Sequence, residues 1–337
     1  MEALDMENTS RRRRQTDRAV LAGARSVERL LHKTFYPVIT TRWFDWPTSA
    51  SPRSWRLWLD EHEVLSLTSL VSGGVTIPPS DYLLEPANDG PPYDRIEINL
   101  GEDSAFSAGA TPQRAIVATG TFGSSADYEA ATTTAEAVDA SETEIDVATC
   151  EAVGTLDHIR VDTELMRVTG RSNIDTGQDI GADLDDTSND DAVSVSDGTA
   201  FTVEETIVVD TERMRIADIS GNTLTVERAV DGSTLAAHTS GADVYAPRRL
   251  TVARAALGTT ATTHSSGATV ERLTPPPIIE ALNIAEAIVR IEQELAGYLR
   301  TAGSGEAMHP IGAGPGIGDL REQALALYGR RHRVAAV

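Results

Sequence analysis

The segment Ile159-Arg-Val-Asp-Thr-Glu-Leu-Met-Arg-Val168 recurs later in the chain as Ile207-Val-Val-Asp-Thr-Glu-Arg-Met-Arg-Ile216. A second pair follows, in which Leu224-Thr-Val-Glu-Arg-Ala229 recurs as Leu250-Thr-Val-Ala-Arg-Ala255. Apolar and polar residues alternate through much of these segments, which predicts β-strands. Self-similar segments of this kind indicate a duplicated structural unit. The middle of the chain is therefore predicted to contain two copies of one β module.

The order of the repeats indicates how the two modules are arranged. Both copies of the first segment precede both copies of the second, whereas tandem modules would alternate them. The simplest explanation is nesting, with an inner module at about 187–247 inserted into a loop of an outer module at about 131–173 plus 248–271. A long insertion into a surface loop adds little loop-closure entropy. Because composition shifts to Thr, Ala, Asp and Val over the same stretch, 124–271 is predicted to be one inserted β domain.

Residues 1–123 follow a different pattern. A loose polar arm is predicted up to residue 15, and a helix from Thr16 that ends before Pro37. An aromatic stretch with all four tryptophans comes next and is expected to anchor a core. Period-two alternation and turn residues then predict short antiparallel strands. These strands are expected near Trp55–Leu59, Val64–Leu70, Val75–Ile77, Asp81–Leu84, Arg95–Leu100 and Arg114–Gly123.

Residues 272–337 are predicted to be mainly helical. A helix over 281–299 follows Pro275–Pro277, and its apolar residues repeat at spacings of three and four. This stripe is expected to pack the core and contains Ala281, Ile284, Ile288, Ile291, Leu295 and Tyr298. A linker is predicted at Gly303–Gly318 and a short helix at Leu320–Tyr328. The predicted fold class is α+β, a small core of helices and antiparallel strands interrupted by a mostly-β insertion of two related modules.

The charge balance indicates the habitat of the protein. The 337 residues include 51 acidic and 29 basic ones, giving a net charge of −22, and Lys33 is the only lysine. An acidic, lysine-poor chain is typical of halophiles that accumulate salt, since at about 1 M salt the Debye length falls to roughly 3 Å and surface carboxylates scarcely repel one another. The single cysteine, Cys150, excludes a disulfide within the chain. Without an apolar run of about 18 residues, neither a membrane span nor an exported precursor is expected.

A search for catalytic and ligand-binding motifs favours a protein that is not an enzyme and has no cofactor or metal. The histidines have no metalloprotease spacing, and His238 and His264 occupy equivalent repeat positions that suggest a structural role in turns. Gly312–Gly318 resembles a phosphate loop but lacks a lysine, and an acidic loop with Asp183, Asp185, Asp190 and Asp191 lacks the glycine of a calcium-binding loop. The paired acids Asp162/Glu164 and Asp210/Glu212 are expected on an outward charged face.

Two basic segments stand out in the acidic chain. The first contains Arg11, Arg12, Arg13 and Arg14 and could contact DNA or an acidic partner, or form a disordered arm. The second contains Arg330, Arg331, His332 and Arg333, followed by the apolar residues Val334 to Val337. This tail is either a frayed end or a docking peptide, and docking is favoured.

Several motifs outside the β domain resemble a known family. They are Trp55-Arg-Leu-Trp-Leu59, Asp81-Tyr-Leu-Leu-Glu-Pro-Ala-Asn88, and the strand Ala118-Thr-Gly-Thr-Phe-Gly123 with a helix that begins at a proline. Together they resemble the head–tail connector (adaptor) proteins of long-tailed double-stranded-DNA viruses. In that family the helix follows the strand almost at once, whereas here 124–271 intervene. The repeats in that insertion resemble small β modules of tail and baseplate proteins.

The resemblance implies a virion protein of the neck, assembled in the host cytoplasm, and the halophile-type composition favours a haloarchaeal host. It implies a ring, dodecameric by analogy, between portal protein and a tail-side neck protein, with genomic DNA passing through without sequence-specific binding. The tail at 330–337 would dock on the portal, and the inserted domain would contact capsid or solvent. The alternatives are a tail fibre or baseplate protein that binds a host-surface glycan through its β modules, and a hydrolase on a β scaffold.

Overall fold

The computed structural model describes residues 10–46, 53–295, 301–302, 309–310 and 315–329. The chain is a mixed α+β protein with mostly antiparallel sheets, which confirms the predicted class. Its helices are α1 (Ser10–Leu31), α2 (Pro277–Leu295) and α3 (Pro315–Tyr328). Its strands are β1 (Val38–Phe44), β2 (Arg56–Trp58), β3 (Val64–Ser72), β4 (Val75–Ile77), β5 (Tyr82–Glu85), β6 (Arg95–Ile98), β7 (Ile116–Phe122), β8 (Tyr128–Thr133), β9 (Glu144–Asp146), β10 (His158–Val161), β11 (Glu164–Asp179), β12 (Ala192–Ser194), β13 (Thr206–Val209), β14 (Glu212–Ser220), β15 (Thr223–Glu227), β16 (Asp243–Ala253), β17 (Thr269–Leu273), β18 (Thr301–Ala302) and β19 (His309–Pro310).

The chain divides into two compact units. One, called here the β unit, contains Tyr128–Leu273 and is grouped with the first 17 residues. The other, called here the core unit, combines Arg18–Asp127 with Thr274–Val337. The core unit is therefore built from segments far apart in the sequence.

Two small antiparallel sheets form the strand part of the core unit. Their strand orders are β1-β7-β3-β4 and β2-β6-β5, and the strands predicted from alternation are confirmed within a few residues. Alternate residues of β7 point inward, and Ile116, Ala118 and Phe122 are buried with Leu57 and Ile96 of the second sheet. The alternating pattern in the sequence thus has its expected cause, one face of each strand packed on an apolar core.

The aromatic stretch anchors this core only in part. Trp46 and Trp55 pack against the buried cluster, and the Trp46 Nε1 donates to the Phe106 carbonyl over 3.0 Å. Trp43, in contrast, is 60% exposed on β1. The expectation that the stretch anchors a core therefore holds for Trp46 and Trp55 and not for Trp43, which lies on the outer face of β1.

Helices form the rest of the core unit and differ from prediction in three ways. Helix α1 begins at Ser10, so Arg11 to Arg14 lie in a helix and not in a loose arm. Helix α3 begins at Pro315, inside the predicted linker. In α2, Ile291 is buried, but Ile284 is 49% exposed and Leu295 52% exposed, and Ile288 is only partly buried. The buried face contains instead Ile279, Leu282, Glu286, Ala287 and Ile291.

A ten-stranded antiparallel sheet forms the β unit, in the order β12-β15-β14-β13-β16-β11-β10-β17-β8, with β9 also paired to β16. Its two longest strands, β11 and β16, pair with each other from Arg167↔Ala253 to Asp179↔Asp243. One apolar cluster draws on residues from Val138 to Val168 and from Leu250 to Val270. A second cluster draws on Ile180 to Val244, which lie between those segments in the sequence.

Candidate functional sites

The first repeat contains a buried cluster of charged side chains around Glu164. A two-residue hairpin turn joins β10 to β11 and places Glu164 opposite Val161, with its side chain fully buried. Arg254 binds both carboxylate oxygens, with Nε–Oε1 and Nη2–Oε2 distances of 2.8 Å each. His264 Nε2 lies 3.1 Å from Oε2. The backbone N–H groups of Ala255 and Thr262 also donate to this carboxylate, over 3.0 and 2.9 Å.

The second repeat reproduces the cluster around Glu212. Arg228 Nε and Nη2 lie 2.7 and 2.9 Å from the two carboxylate oxygens, and His238 Nε2 lies 2.9 Å from Oε2. The N–H groups of Ala229 and Ala236 donate over 3.0 Å each. Every partner of Glu164 has an equivalent here, so the duplication seen in sequence extends to side-chain geometry.

An exposed aspartate completes each cluster. Asp162 Oδ2 lies 2.7 Å from His264 Nδ1, and Asp210 Oδ2 lies 2.7 Å from His238 Nδ1. Both aspartates open their hairpin turns with positive φ angles of 54° and 52°, a conformation that Asp tolerates better than most residues. Each imidazole therefore has a carboxylate oxygen within hydrogen-bond distance of both ring nitrogens, which fixes the ring between the hairpin turn and the buried glutamate.

Electrostatics keep the buried glutamates ionised. Burial by itself raises the pKa of Glu164, but the hydrogen bonds from Arg254, Thr262, Ala255 and His264 together lower it to about 2. Burial also raises the pKa of Glu212, but the hydrogen bonds from Arg228, His238 and Ala236 outweigh this effect and lower the pKa to about 2. The expectation of an outward charged face is thus wrong for the two glutamates and holds only for the aspartates.

The two arginines also fix the surrounding loops. Arg254 donates to the carbonyls of Asp139, Glu142 and Thr262, and Arg228 to those of Asp185, Asp190 and Ala236. Sequence reasoning missed these arginines as partners, although both stand at the same place in the repeated Leu-Thr-Val-x-Arg segment. Each cluster thus links its hairpin to loops distant in the sequence. Its arginine, glutamate and histidine side chains are bonded to one another.

A third buried ion pair lies between the two apolar clusters of the β unit. Arg248 Nε and Nη2 bind Glu205 over 2.7 and 2.8 Å, and the guanidinium stands over the Phe201 ring. Cys150 lies 4.0 Å from Glu205, and Arg171 Nη2 donates to its sulfur over 2.9 Å. Burial raises the pKa of Cys150 to about 11, so the thiol stays protonated and unreactive at neutral pH.

The acidic loop of the inner module forms turns. Asp185 Oδ1 accepts from the Thr187 N–H over 2.8 Å, Asp190 Oδ2 accepts from the Asp185 N–H over 2.7 Å, and Asp183 Oδ1 accepts from the Ser240 N–H over 2.7 Å. Across the described part of the chain, no three His, Cys, Asp or Glu side chains come together in a way that could hold a metal ion.

A small polar cleft of about 110 Å³ lies in the core unit between the end of β7 and the start of β1. It is well below the roughly 300–1,000 Å³ of typical ligand sites. The Glu63 carboxylate on its wall is bound by Lys33 Nζ at 2.6 Å and by the Ser124 hydroxyl at 2.5 Å. The cleft is therefore a structural junction of the core unit.

The remaining predicted site residues lie on helices or outside the described range. The Arg14 side chain is exposed on α1, while the side chains of Arg11, Arg12 and Arg13 are outside the described residues. The predicted docking tail, with Arg330, Arg331, His332, Arg333, Val334 and Val337, also lies outside them. Of the predicted packing stripe, Ile284 and Leu295 form an exposed apolar strip along α2.

None of the helices in the described residues combines the length and the apolar character that crossing a bilayer requires. Comparisons of the sequence with protein-family models and with curated proteins, and a comparison with solved structures, found no match.

Proposed function

We propose that this chain is a virion structural protein, a head–tail connector (adaptor) subunit that forms a ring between the portal and the tail of a tailed virus. The observation that carries the proposal is that two segments far apart in the sequence, Arg18–Asp127 and Thr274–Val337, build one compact unit. A connector core interrupted by an insertion requires this arrangement. The ring, the portal contact and the viral setting come from the sequence resemblance.

The junction between the two segments supports an insertion. The Thr274 N–H donates to the Asp127 carbonyl over 2.9 Å, so the chain leaves and re-enters the core unit at one point. Tyr128 then pairs with Leu273 as the first rung of β8 and β17. We infer that 128–273 is a β domain placed in a surface loop of the core, and that the Ile180–Val244 module is nested in it in the same way.

The nesting is supported by the apolar clusters and the long strand pair. The outer cluster uses residues on both sides of the inner one in sequence. Strand β16 contributes Val244 to the inner cluster and Leu250 to the outer one, and it pairs with β11 along this length. Each module thus keeps an apolar core of its own, with its own Arg-Glu-His cluster. Such a domain, with an apolar core in each module, could contact the capsid without taking part in the connector core.

Charge suits a channel through which DNA slides. With a net charge of −22, a ring of such subunits presents few cations to phosphates, and cation–phosphate contacts dominate nonspecific affinity for DNA. DNA would pass the lumen without being retained.

The glycan-binding alternative is less well supported by the β modules. Their repeated polar side chains Glu164, Glu212, Arg228 and Arg254 are buried in ion pairs and do not face solvent. A sugar site would need such groups exposed beside an aromatic surface.

The test is electron microscopy of the purified protein in at least about 1 M KCl, where surface carboxylates are screened, alone and mixed with portal protein. We expect closed rings with an axial opening, and rings stacked on portal. Deleting 330–337 should remove the portal contact while rings persist. The proposal would be wrong if the protein stayed monomeric both alone and with portal. It would also be wrong if the protein bound host-surface glycans instead. A gene position beside fibre genes, away from portal and capsid genes, would count in the same direction.

A further inference from the structure

Helix α2 has apolar residues on two faces, and among the residues that the structure describes only one of these faces is packed. The inner face packs Ile279 and Leu282 into an apolar cluster of the three helices, and Ile291 is also buried. On the outer face, Ile284 and Leu295 are about half exposed, at 49% and 52%. Because residues three and four apart share a helix face, they form one strip with the exposed Ala281 and the partly buried Ile288. The exposed acids Glu280 and Glu292 flank this strip. We call the surface formed by Ala281, Ile284, Ile288 and Leu295 the α2 strip.

Helix α1 carries a face of opposite charge. Arg18, Leu21, Arg25 and Arg29 are exposed and follow one another at helical spacing, with Leu21 38% exposed in the middle. The inner side of α1 is fixed against α2 at Gly23, where an added Cβ would lie 2.5 Å from Asn283 Oδ1. Arg18, at the start of this basic face, lies 3.7 Å from Glu294 of α2 in the same chain, so Leu21, Arg25 and Arg29 are the part of the face that a second copy can meet. We call this basic face the α1 face. In a chain with 51 acidic and 29 basic residues, such a concentration of arginine is unusual.

We propose that the α1 face of one copy packs on the α2 strip of the next copy, and that this contact closes the ring. The inference rests on the proposed function and names the surfaces that join its subunits. Leu21 meets the apolar strip, and the arginines reach the flanking glutamates. The two surfaces differ, so the contact is heterologous, and repeating one heterologous contact with the right rotation generates a ring.

Salt conditions decide what each part of the contact contributes. At about 1 M salt, charges separated by more than roughly 3 Å are screened, so direct Arg–Glu pairs select the register while apolar burial supplies most of the affinity. A second copy fits better than DNA, since the α1 face has an exposed leucine at its centre and a complementary apolar strip exists on the same chain.

The experiment uses two full-length variants, each with one surface disabled. The first carries Leu21→Glu with Arg25→Glu, and the second carries Ile284→Arg. All three side chains are exposed, so both variants should fold, and circular dichroism with tryptophan fluorescence checks this. Leu327→Arg, at a site 70% exposed on α3, is the matched control.

We expect the wild type and the control to form rings, and each variant alone to run as a monomer of 36.0 kDa in light scattering. An equal mixture of the two variants should give a dimer of twice that mass, because one intact α2 strip meets one intact α1 face and growth then stops.

Rings that survive in either variant, or a mixture that stays monomeric, would contradict this contact while leaving the proposed function standing. Rings that persist while the first variant loses retention on duplex DNA would assign the α1 face to nucleic acid instead. A wild type that never self-associates, with or without portal, would contradict the proposed function itself.

Discussion

Arg254 and Glu164 show at the residue scale how the β unit accommodates buried charge. The carboxylate is fully buried and bound on both oxygens, so the arginine cannot be removed without leaving a buried, unpaired anion. Breaking one half of a buried pair typically costs about 3–5 kcal/mol. We expect Arg254→Ala, and likewise Arg228→Ala, to lower the unfolding free energy of the β unit by about that much. Arg215→Ala breaks an exposed pair with Glu227 and should cost less than about 1 kcal/mol.

The placement of tryptophan allows this change to be localised. All four tryptophans lie between residues 43 and 58, in the core unit. Urea unfolding followed by far-ultraviolet circular dichroism reports both units, whereas tryptophan fluorescence reports the core unit. Arg254→Ala should move part of the circular dichroism transition to a lower urea concentration and leave the fluorescence transition unchanged. Equal effects of Arg254→Ala and Arg215→Ala would show that the buried cluster is not the stabilising element.

A second residue-scale prediction concerns acid stability. The pKa of Glu164 and Glu212 falls from an ordinary value of 4.5 to about 2 in the folded protein. A lowered folded-state pKa contributes stability that is present above pH 4.5 and is lost as the pH falls towards 2. Urea unfolding of the β unit at constant KCl should therefore show stability declining across that window. The double variant Glu164→Gln, Glu212→Gln should start less stable and show a flatter pH dependence, and an unchanged slope would refute this assignment.

At the scale of elements, strand β7 depends on one glycine. A Cβ on Gly120 would lie 2.2 Å from the Ser66 carbonyl oxygen of β3, so β3 and β7 can pair here only without a side chain. Gly120→Ala is expected to destabilise the core unit by about 1–3 kcal/mol, as overpacking does elsewhere. The matched control is Gly101→Ala in the same unit, whose Cβ would lie 3.4 Å from Asn99 Oδ1 and far from any backbone clash. If the Gly120→Ala variant unfolded at the same urea concentration as the wild type, as followed by tryptophan fluorescence, this account would be contradicted.

The elements also show how far the sequence could be interpreted. Alternation located β6 and β7 within a few residues, because buried and more open residues alternate along each of these strands. It could not choose between the faces of α2, since apolar residues occur on both: of the predicted stripe, Ile284 and Leu295 are exposed while Ile291 is buried. Periodicity shows that a helix face is apolar. It does not show whether that face packs on the core of the same chain or on another copy.

The buried clusters were beyond local patterns for a related reason. Glu164 precedes its partner Arg254 by 90 residues, and in an acidic chain a glutamate on a strand ordinarily faces solvent. The signal that could have paired them is the repeat itself, which keeps the glutamate, the arginine and the histidine at matching places in both copies. Two residues duplicated together are better candidates for contact than either residue alone.

At the scale of the whole molecule, the junction at Asp127 and Thr274 predicts that the β unit can be removed. The two residues are hydrogen bonded over 2.9 Å, so a turn of about two to four Gly and Asn residues can replace Tyr128–Leu273. We expect the shortened chain to fold with wild-type tryptophan emission, because all four tryptophans and their core remain. It should also form rings, since the α1 face and the α2 strip are retained.

The complementary fragment, residues 128–273, should fold alone with a β-type circular dichroism spectrum, because both apolar clusters lie within it. A shortened chain with the emission of unfolded protein would show that the core unit depends on its insertion. A folded shortened chain that fails to form rings under conditions where the full chain does would assign subunit contacts to the β unit.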